Sequence, residues 1–255
     1  MMGKNIRLDR FLADMGKGSR SEIRQAAKKG RIQVNGKIEK QTDRKIDPDR
    51  DQVMLDGKAV QYYTWEYIML YKPQGVISAT EDLHHRTVLD LLDGENRRDL
   101  FPVGRLDVDT EGLLLLTNDG ELAHRLLSPR KHVDKVYFAR VAGQLPKDAR
   151  ERMAAGMMLE DGTPVQPAKL ELLKDEEYQN EGEQEIRVLL TIQEGKYHQV
   201  KRMFEAMGCR VVYLKRLSMG PLVLDETLLP GEYRRLTQEE LAHLKEGAFQ
   251  EQKTD

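Results

Sequence analysis

A carboxylate close to a cation marks residues 104–119, which read GRLDVDTEGLLLLTND. Asp107 stands two positions after Arg105, and an apolar run of four leucines begins six positions after Asp107. An ionised carboxylate can act as a nucleophile or as a general base, and arginine binds phosphate well. Asp107 is therefore the first candidate for chemistry. A plainer interpretation is that Asp107 and Asp109 only form a turn, which is a common use of aspartate.

The same two aspartates allow two further interpretations. They resemble the metal-holding carboxylate pair of a sugar-nucleotide transferase, or one half of the carboxylate pair of a glycosidase. Most other chemistry lacks its pattern, because the chain has no HExxH motif, no phosphate-binding glycine motif and no GxSxG motif. The six histidines show no ligand spacing, and Cys209 is the only cysteine. We expect no metal site and no cofactor.

The leucine run Leu113-Leu114-Leu115-Leu116 indicates the element that positions Asp107. Continuous apolar residues ended by the turn-forming sequence TNDG are typical of a strand that is covered on both faces. Polar residues just before such a strand are presented from a rigid edge. The residues after it predict a helix over 120–127, with Asn118 and Glu121 at capping-box spacing.

A second helix, predicted over residues 196–208, brings further charge to the sheet. Its apolar residues recur at helical spacing and predict the face that packs on the core: Val200, Met203, Phe204 and Met207. That packing leaves three polar residues at the border of the helix, facing a groove: Gln199, Lys201 and Arg202. Alternating or apolar segments predict strands over 67–71, 135–141, 168–173, 185–193 and 210–216.

The first 45 residues are strongly basic. They hold 13 Lys and Arg against 5 Asp and Glu, which is a net charge of +8. Because the whole chain has a net charge of −2, the remainder has a net charge of −10. A basic segment joined to an acidic body suggests that one part binds a polyanion and the other acts on it. No apolar stretch is long enough to span a bilayer, and the N-terminus has no signal-like run, so we expect a cytoplasmic protein.

The basic segment contains a row of cations on one predicted helix. Ser19 and Glu22 form a capping box at its start, Gly30 ends it, and Asn35-Gly36 predicts a hairpin turn beyond it. The cations are spaced by 3, 4, 4 and 3 residues, so they share one side: Lys17, Arg20, Arg24, Lys28 and Arg31. An ordinary solvated helix face is the alternative.

This front segment resembles the alpha-L RNA-binding module that is known from a ribosomal small-subunit protein. The matching text is RLDRFLADMGKGSRSEIRQAAKKGRIQVNGKIE, which begins at Arg7. The resemblance implies that the cation row contacts RNA.

Residues 67–245 resemble the RsuA-like branch of the pseudouridine synthases. Three motifs carry the resemblance in the same order: YKPQGVISAT at 71–80, GRLDVDTEGLLLLTNDGELAHRLLSP at 104–129 and LTIQEGKYHQVKRMFEAMG at 190–208. The family places its catalytic aspartate at Asp107, the aromatic residue of its KxY motif at Tyr137 and the basic partner of the aspartate at Lys201. The sequence HQVKRM at 198–203 is closer to the 16S branch than to the 23S branch.

Physical reasoning agrees with these roles. Burial disfavours a charged carboxylate, so Asp107 needs a cation nearby, for which Lys201 is the first candidate and Arg202 the second. A uridine in folded RNA must leave its stack, and the ring of Tyr137 can stack on the extruded base, unless Tyr137 is only a core residue. Arg105 can fill the vacated position or bind a phosphate. Phosphate contact is also the alternative role for Lys201 and Arg202.

The sequence thus predicts an α+β protein of two domains, with a mixed, largely antiparallel sheet in the second. We expect an RNA-binding module over 1–62, a catalytic domain over 67–246 and a flexible tail over 247–255. The predicted function is isomerisation of a uridine in 16S ribosomal RNA by a monomer. The alternatives are the same reaction on 23S ribosomal RNA, a non-catalytic ribosome-assembly factor, and a metal-dependent glycosyl enzyme.

Overall fold

The computed structural model describes residues 5–62, 65–92, 99–128, 131–173 and 185–249. These residues form two compact units. The first contains residues 5–62, 65–66, 92 and 99–100, and the second contains 67–91, 101–128, 131–173 and 185–249. None of the described helices is long and apolar enough to cross a membrane.

The first unit combines two helices with short strands. Its elements are β1 (Ile6–Arg7), α1 (Leu8–Asp14), α2 (Arg20–Lys28), β2 (Ile32–Val34), β3 (Lys37–Ile38), β4 (Lys45–Ile46), β5 (Val53–Leu55) and β6 (Lys58–Val60). Four strands pair in the order β3-β2-β5-β6, and β1 pairs with β4. The predicted capping box of α2 is confirmed, because the Ser19 side chain accepts from the Glu22 N–H while the Glu22 carboxylate accepts from the Ser19 N–H.

The second unit is built on one large sheet. Its strands are β7 (Tyr67–Lys72), β8 (Phe101–Pro102), β9 (Glu111–Thr117), β10 (Lys135–Ala142), β11 (Met157–Met158), β12 (Pro164–Val165), β13 (Lys169–Leu172), β14 (Glu185–Ile192), β15 (Arg210–Met219), β16 (Leu222–Val223) and β17 (Tyr233–Arg235). Its helices are α3 (Gly120–Leu127), α4 (Ala149–Ala154), α5 (Gln199–Glu205) and α6 (Gln238–Phe249), with a 3-10 turn at Leu89–Leu91.

The large sheet runs in the order β13-β14-β10-β15-β9-β7-β17, with β8 on β9 and β16 on β15. Only β15 and β9 run parallel among its described pairs, whereas the other neighbours are antiparallel. The predicted α+β class with a mixed, largely antiparallel sheet is therefore confirmed. The core of this unit includes Met69, Leu113 and Leu115 together with apolar residues of α3 and α6.

Strand β9 is buried on both faces, as the leucine run predicts. Leu113, Leu114, Leu115 and Leu116 are each 0% exposed, and β9 pairs with β7 on one side and β15 on the other. A strand in this position cannot shift without breaking two ladders, so the loop before it has a rigid base.

The parallel contact between β9 and β15 requires a glycine. Gly112 has φ +107°, and a Cβ atom there would lie 2.2 Å from the Arg216 carbonyl oxygen and 2.7 Å from the Arg216 amide nitrogen. Any side chain at this position would force the two strands apart.

Three helices differ from the prediction at their ends. Helix α5 spans Gln199–Glu205, which is shorter than the predicted range of 196–208. Helix α3 is capped by Asp119, whose side chain accepts from the Leu122 N–H, and not by Asn118. Helix α6 begins with a capping box of Thr237 and Glu240, and it continues to Phe249, beyond the predicted domain end at residue 246. The rest of the predicted tail, 250–255, lies outside the described residues.

Candidate active site

Asp107 lies in the loop that enters β9, at the mouth of a pocket in the second unit. The pocket is lined by Arg105, Leu106, Asp107, Thr110, Tyr137, Ile192, Gly195, Lys196, His198, Gln199, Val200, Lys201 and Leu214. The Asp107 side chain is 27% exposed and lies 3.1 Å from the Lys201 Nζ. Its other oxygen is 3.6 Å from the His198 Nε2. The structure thus joins the 104–119 motif to the helix that carries Lys201, as the sequence predicts.

Lys201 connects two carboxylates. Besides Asp107, its Nζ contacts the Asp109 Oδ1 at 2.6 Å, while the lysine side chain is 19% exposed. Burial by itself lowers the pKa of Lys201, but the hydrogen bonds to Asp109 and Asp107 outweigh this effect and raise the pKa above its usual value. Lys201 is therefore a fixed positive charge beside Asp107 at neutral pH.

The pairing with Lys201 also bears on the metal-based interpretation of Asp107 and Asp109. Burial raises the pKa of Asp109, yet the hydrogen bond and charge of Lys201 more than offset it, so the net shift is downward. The ammonium group thus lies where the two carboxylates would otherwise share a cation. Among the described residues, no group of three or more His, Cys, Asp or Glu side chains is arranged to hold a metal ion.

Lys72, the last residue of β7, makes hydrogen bonds to the backbone of the loop that carries Asp107. Lys72 is 0% exposed, and its Nζ donates to the carbonyls of Asp107 at 2.9 Å, Thr110 at 2.9 Å and Pro73 at 3.0 Å. Burial lowers the pKa of Lys72 to about 8, opposed by the nearby charges of Asp109 and Asp107. Lys72 touches only the backbone of this loop, so it positions Asp107 without contacting its carboxylate.

Further hydrogen bonds fix the two sides of the loop. The Ser78 hydroxyl donates to the Leu106 carbonyl at 2.9 Å and accepts from the Leu106 N–H at 3.0 Å. The Gly75 N–H donates to the Val108 carbonyl at 2.8 Å. The motif at 71–80 thus supports the loop that carries Asp107, which gives that part of the sequence a physical role.

Substitution of Lys72 by methionine tests this support. We expect Lys72→Met to lower the kcat of the uridine isomerisation that the sequence predicts by roughly 10- to 50-fold, because a small displacement of the predicted catalytic group, Asp107, has a large effect on rate. RNA affinity should remain close to that of the wild type, because Lys72 is buried. Steady-state kinetics and an RNA-binding titration measure the two quantities separately.

Lys135→Met is the matched control for Lys72→Met. Lys135 is also a buried lysine whose pKa burial lowers to about 8, but its Nζ donates to the Val133 carbonyl at 2.8 Å and does not contact the Asp107 loop. If both variants lose kcat equally, general destabilisation explains the loss and the positioning role of Lys72 is wrong.

His198 forms the other wall of the pocket mouth. It precedes α5 with φ 49°, a left-handed conformation that costs a non-glycine residue about 1 kcal/mol or more. Its ring stacks on Tyr197, with centroids 3.8 Å apart and an interplanar angle of 19°. The His198 side chain thus contacts both the Tyr197 ring and the Asp107 carboxylate.

The structure places Tyr137 and Arg105 at the pocket in different ways. Tyr137, in β10, is buried and lines the pocket. Arg105 is exposed at the rim, and within the described part of the chain it makes no hydrogen bond or ion pair. A free cation beside a carboxylate pocket is suited to bind a phosphate.

Arg202 is not brought to Asp107. Its guanidinium contacts the Asp161 carboxylate at 2.5 Å and donates to the Tyr197 carbonyl at 3.3 Å. The predicted second cation for Asp107 is therefore directed to another loop, although Arg202 lies one position after Lys201. Its proposed contact with substrate remains a prediction.

The predicted cation row lies in the first unit. All five members are exposed: Lys17, Arg20, Arg24, Lys28 and Arg31. Arg31 forms an ion pair with Asp56, which neutralises part of its charge. The role of the row in binding RNA stays a prediction.

Sequence reasoning missed Lys72 and His198. Lys72 had a detectable signal, because a lysine at the end of an apolar strand and before a proline brings a charge to the edge of the core. A charge there needs hydrogen-bond acceptors nearby. His198 had none, because its approach to Asp107 depends on the left-handed backbone before α5.

Comparison with known proteins agrees with this geometry. The sequence model of the family described as RNA pseudouridylate synthase matches residues 66–206, and that of the S4 domain matches residues 6–51. The chain is 49% identical to an uncharacterized RNA pseudouridine synthase of Bacillus subtilis, YtzG, over 94% of this chain and 99% of that protein. It is 42% identical to ribosomal small subunit pseudouridine synthase A of Vibrio cholerae, over 94% and 99% of the two chains.

A relative from Pasteurella multocida with the same description is 41% identical over 93% of this chain and 98% of its own. Among solved structures, one described as a pseudouridylate synthase is similar with a TM-score of 0.64 and 38% identity, covering 94% of this chain and 99% of that one.

Proposed function

Because the chain belongs to the RNA pseudouridylate synthase family and carries an S4 domain, we propose that it isomerises one uridine of small-subunit (16S) ribosomal RNA to pseudouridine, with Asp107 as the catalytic carboxylate. The relatives described as small-subunit enzymes support the choice of RNA, since their similarity extends over nearly the whole chain. The observation that carries the role of Asp107 is its contact with Lys201 at 3.1 Å inside the pocket.

The reaction rearranges bonds within a single nucleotide. The bond between the ribose C1′ and the base N1 breaks, the base rotates, and C1′ bonds to C5 of the base. C5 then releases its hydrogen as a proton, and N1 takes up a proton, so the product is an isomer of the substrate. No redox step and no group donor is needed. An ionised carboxylate can attack the sugar as a nucleophile or remove a proton as a base, and Asp107 is suited to either role.

Lys201 supports both roles by its charge. A carboxylate in a closed site is hard to keep ionised unless a cation lies near it. Tyr137 lines the same pocket, so its ring can stack on the extruded uracil and recover part of the free energy spent on leaving the RNA stack. Arg105 at the rim is suited to bind a phosphate or to fill the vacated position in the RNA.

The first unit supplies the affinity for RNA in this proposal. Four members of the exposed row, Lys17, Arg20, Arg24 and Lys28, are available for phosphates, whereas Arg31 shares its charge with Asp56. We propose the ribosomal RNA or a small-subunit precursor as the partner, and a cytoplasmic monomer as the acting form. For Arg202 we propose a phosphate contact, although its guanidinium is paired with Asp161.

Mapping pseudouridines in ribosomal RNA tests the function. In a strain that lacks this protein, we expect one pseudouridine to be absent from 16S ribosomal RNA and to return when the gene is restored. Loss from 23S ribosomal RNA instead would favour the large-subunit alternative. An unchanged map in both RNAs would contradict the enzyme and favour a non-catalytic assembly factor with the same fold.

A further inference from the structure

We propose that Tyr197 and His198 form a stacking platform for an unpaired RNA base next to the isomerised uridine. This inference rests on the proposed function and adds to it a subsite outside the pocket. The two rings are defined here as the ring pair. They lie on the segment that leads into α5, the helix that carries Lys201.

The ring pair connects the reacting carboxylate to solvent. On its inner side, the His198 Nε2 lies 3.6 Å from the Asp107 Oδ1. On its outer side, Tyr197 is 74% exposed, and within the described residues its only ring contact is His198. Since the rings are 3.8 Å apart and nearly parallel, the outer face of Tyr197 offers the next position in the aromatic stack that begins with His198.

The backbone holds this arrangement in place. The Gln199 side chain accepts from the Lys196 N–H at 2.9 Å and donates to the Glu194 carboxylate at 3.0 Å. The Arg202 guanidinium donates to the Tyr197 carbonyl while it is paired with Asp161. A large exposed ring on a backbone that is fixed by side-chain hydrogen bonds binds a partner with little loss of conformational entropy.

The charge around the ring pair favours a nucleic-acid base as the occupant. Arg105 lies at the same pocket rim with its charge free among the described residues, and Lys201 lies inside. A chain of phosphates is attracted to this rim, while every base has a flat face that stacks on an aromatic ring. Extrusion of the uridine leaves its neighbours without one stacking partner, and Tyr197 replaces that partner.

The test compares Tyr197→Leu with Tyr197→Phe and Tyr197→Trp in the full-length protein. The substrate is small-subunit ribosomal RNA labelled with tritium at C5 of uridine, because isomerisation releases that hydrogen to water. The RNA is used both as a bare transcript and as a small-subunit particle from a strain without the enzyme. Leu229→Ala is the control, since Leu229 is 65% exposed and lies outside the pocket lining.

Loss of the aromatic face in Tyr197→Leu is expected to raise KM about tenfold on both substrates, with kcat within about twofold of the wild type. Tyr197→Phe and Tyr197→Trp, which keep the face, should remain within about twofold in both constants. Leu229→Ala should behave as the wild type. This split between KM and kcat, with rescue by aromatic residues, is the signature of stacking.

Four results would overturn the platform. An unchanged KM in Tyr197→Leu shows that no base stacks there, and a fall in kcat alone shows that Tyr197 acts only by supporting His198. A defect confined to the particle identifies a ribosomal protein, not a base, as the occupant. If the wild-type enzyme releases no tritium from either substrate, the proposed function itself is wrong and the platform falls with it.

Discussion

Asp107→Asn is expected to lower pseudouridine formation by about 10³-fold or more, while RNA affinity stays within about twofold. Asparagine has nearly the same shape as aspartate but carries no charge, so it can neither attack the sugar nor accept a proton. The Lys72 hydrogen bond to the backbone carbonyl of residue 107 is unaffected by the change, so the loop keeps its position. Tritium release under single-turnover conditions measures the rate, and a filter-binding titration measures the affinity.

Asp109→Asn is the matched control for Asp107→Asn. Both carboxylates contact the Lys201 Nζ, but Asp109 is 61% exposed and only Asp107 also approaches His198. We expect Asp109→Asn to retain activity within about tenfold of the wild type, because an exposed ion pair contributes little. Equal losses in the two variants would show that the sites act as a pair, and full activity in Asp107→Asn would exclude Asp107 as the catalytic carboxylate.

Lys201→Met is expected to lower kcat by about 10²- to 10³-fold. The substitution leaves Asp107 partly buried without its cation, and such an unpaired charge is strongly disfavoured. Methionine retains the length and apolar stem of lysine, so the packing of α5 on the sheet should be preserved. Steady-state kinetics with wild-type protein measured in parallel gives the ratio of kcat values.

Two further variants in α5 allow the result for Lys201→Met to be interpreted. Lys201→Arg keeps a positive charge that can contact both carboxylates, and we expect it to remain within about tenfold of the wild type. Arg202→Met removes the neighbouring cation, which is paired with Asp161, and should have a smaller effect on kcat than Lys201→Met. If Arg202→Met has the larger effect, the cation that supports Asp107 has been assigned wrongly.

The pattern of apolar residues predicts those parts of the fold that periodicity controls. The leucine run predicts the buried strand β9, and the stripe of Val200, Met203, Phe204 and Met207 predicts the core face of α5, where the first three lie and Met207 is buried just beyond the end of the helix. Strand β9 is covered on both faces, so its apolar residues are continuous, whereas α5 faces the core on one side, so its apolar residues repeat with the period of a helix. The meeting of Asp107 and Lys201 does not follow from either period, and the family resemblance supplied it.

Contacts between distant segments decide the features that the sequence does not predict. The start of α3 is one example, because Asn118 and Asp119 are both good capping residues. Asp119 is used, and its second carboxylate oxygen accepts a hydrogen bond of 2.8 Å from the Tyr67 hydroxyl across the sheet. Tyr67 is 52 positions away, so the sequence around α3 does not indicate which of the two residues caps the helix.

The same limit explains Lys72 and His198. Lys72 acts through carbonyl groups of the loop at 107–110, so its position at the end of an apolar strand indicates a buried charge but does not identify its partners. His198 approaches Asp107 from a left-handed backbone conformation, which residue type alone does not predict. Side-chain patterns thus predict which residues are polar and near an edge, while their final partners depend on tertiary structure.

The contact between Gly112 and Arg216 has a consequence for synthesis of the chain on the ribosome. The parallel ladder beside the loop that carries Asp107 joins residues from the middle and the late part of the sequence, and Lys201 follows Asp107 by about half of the second unit. A nascent chain that ends before β15 therefore holds Asp107 but lacks one neighbour of β9. Translation must reach the end of β15 before the sheet around Asp107 can be completed.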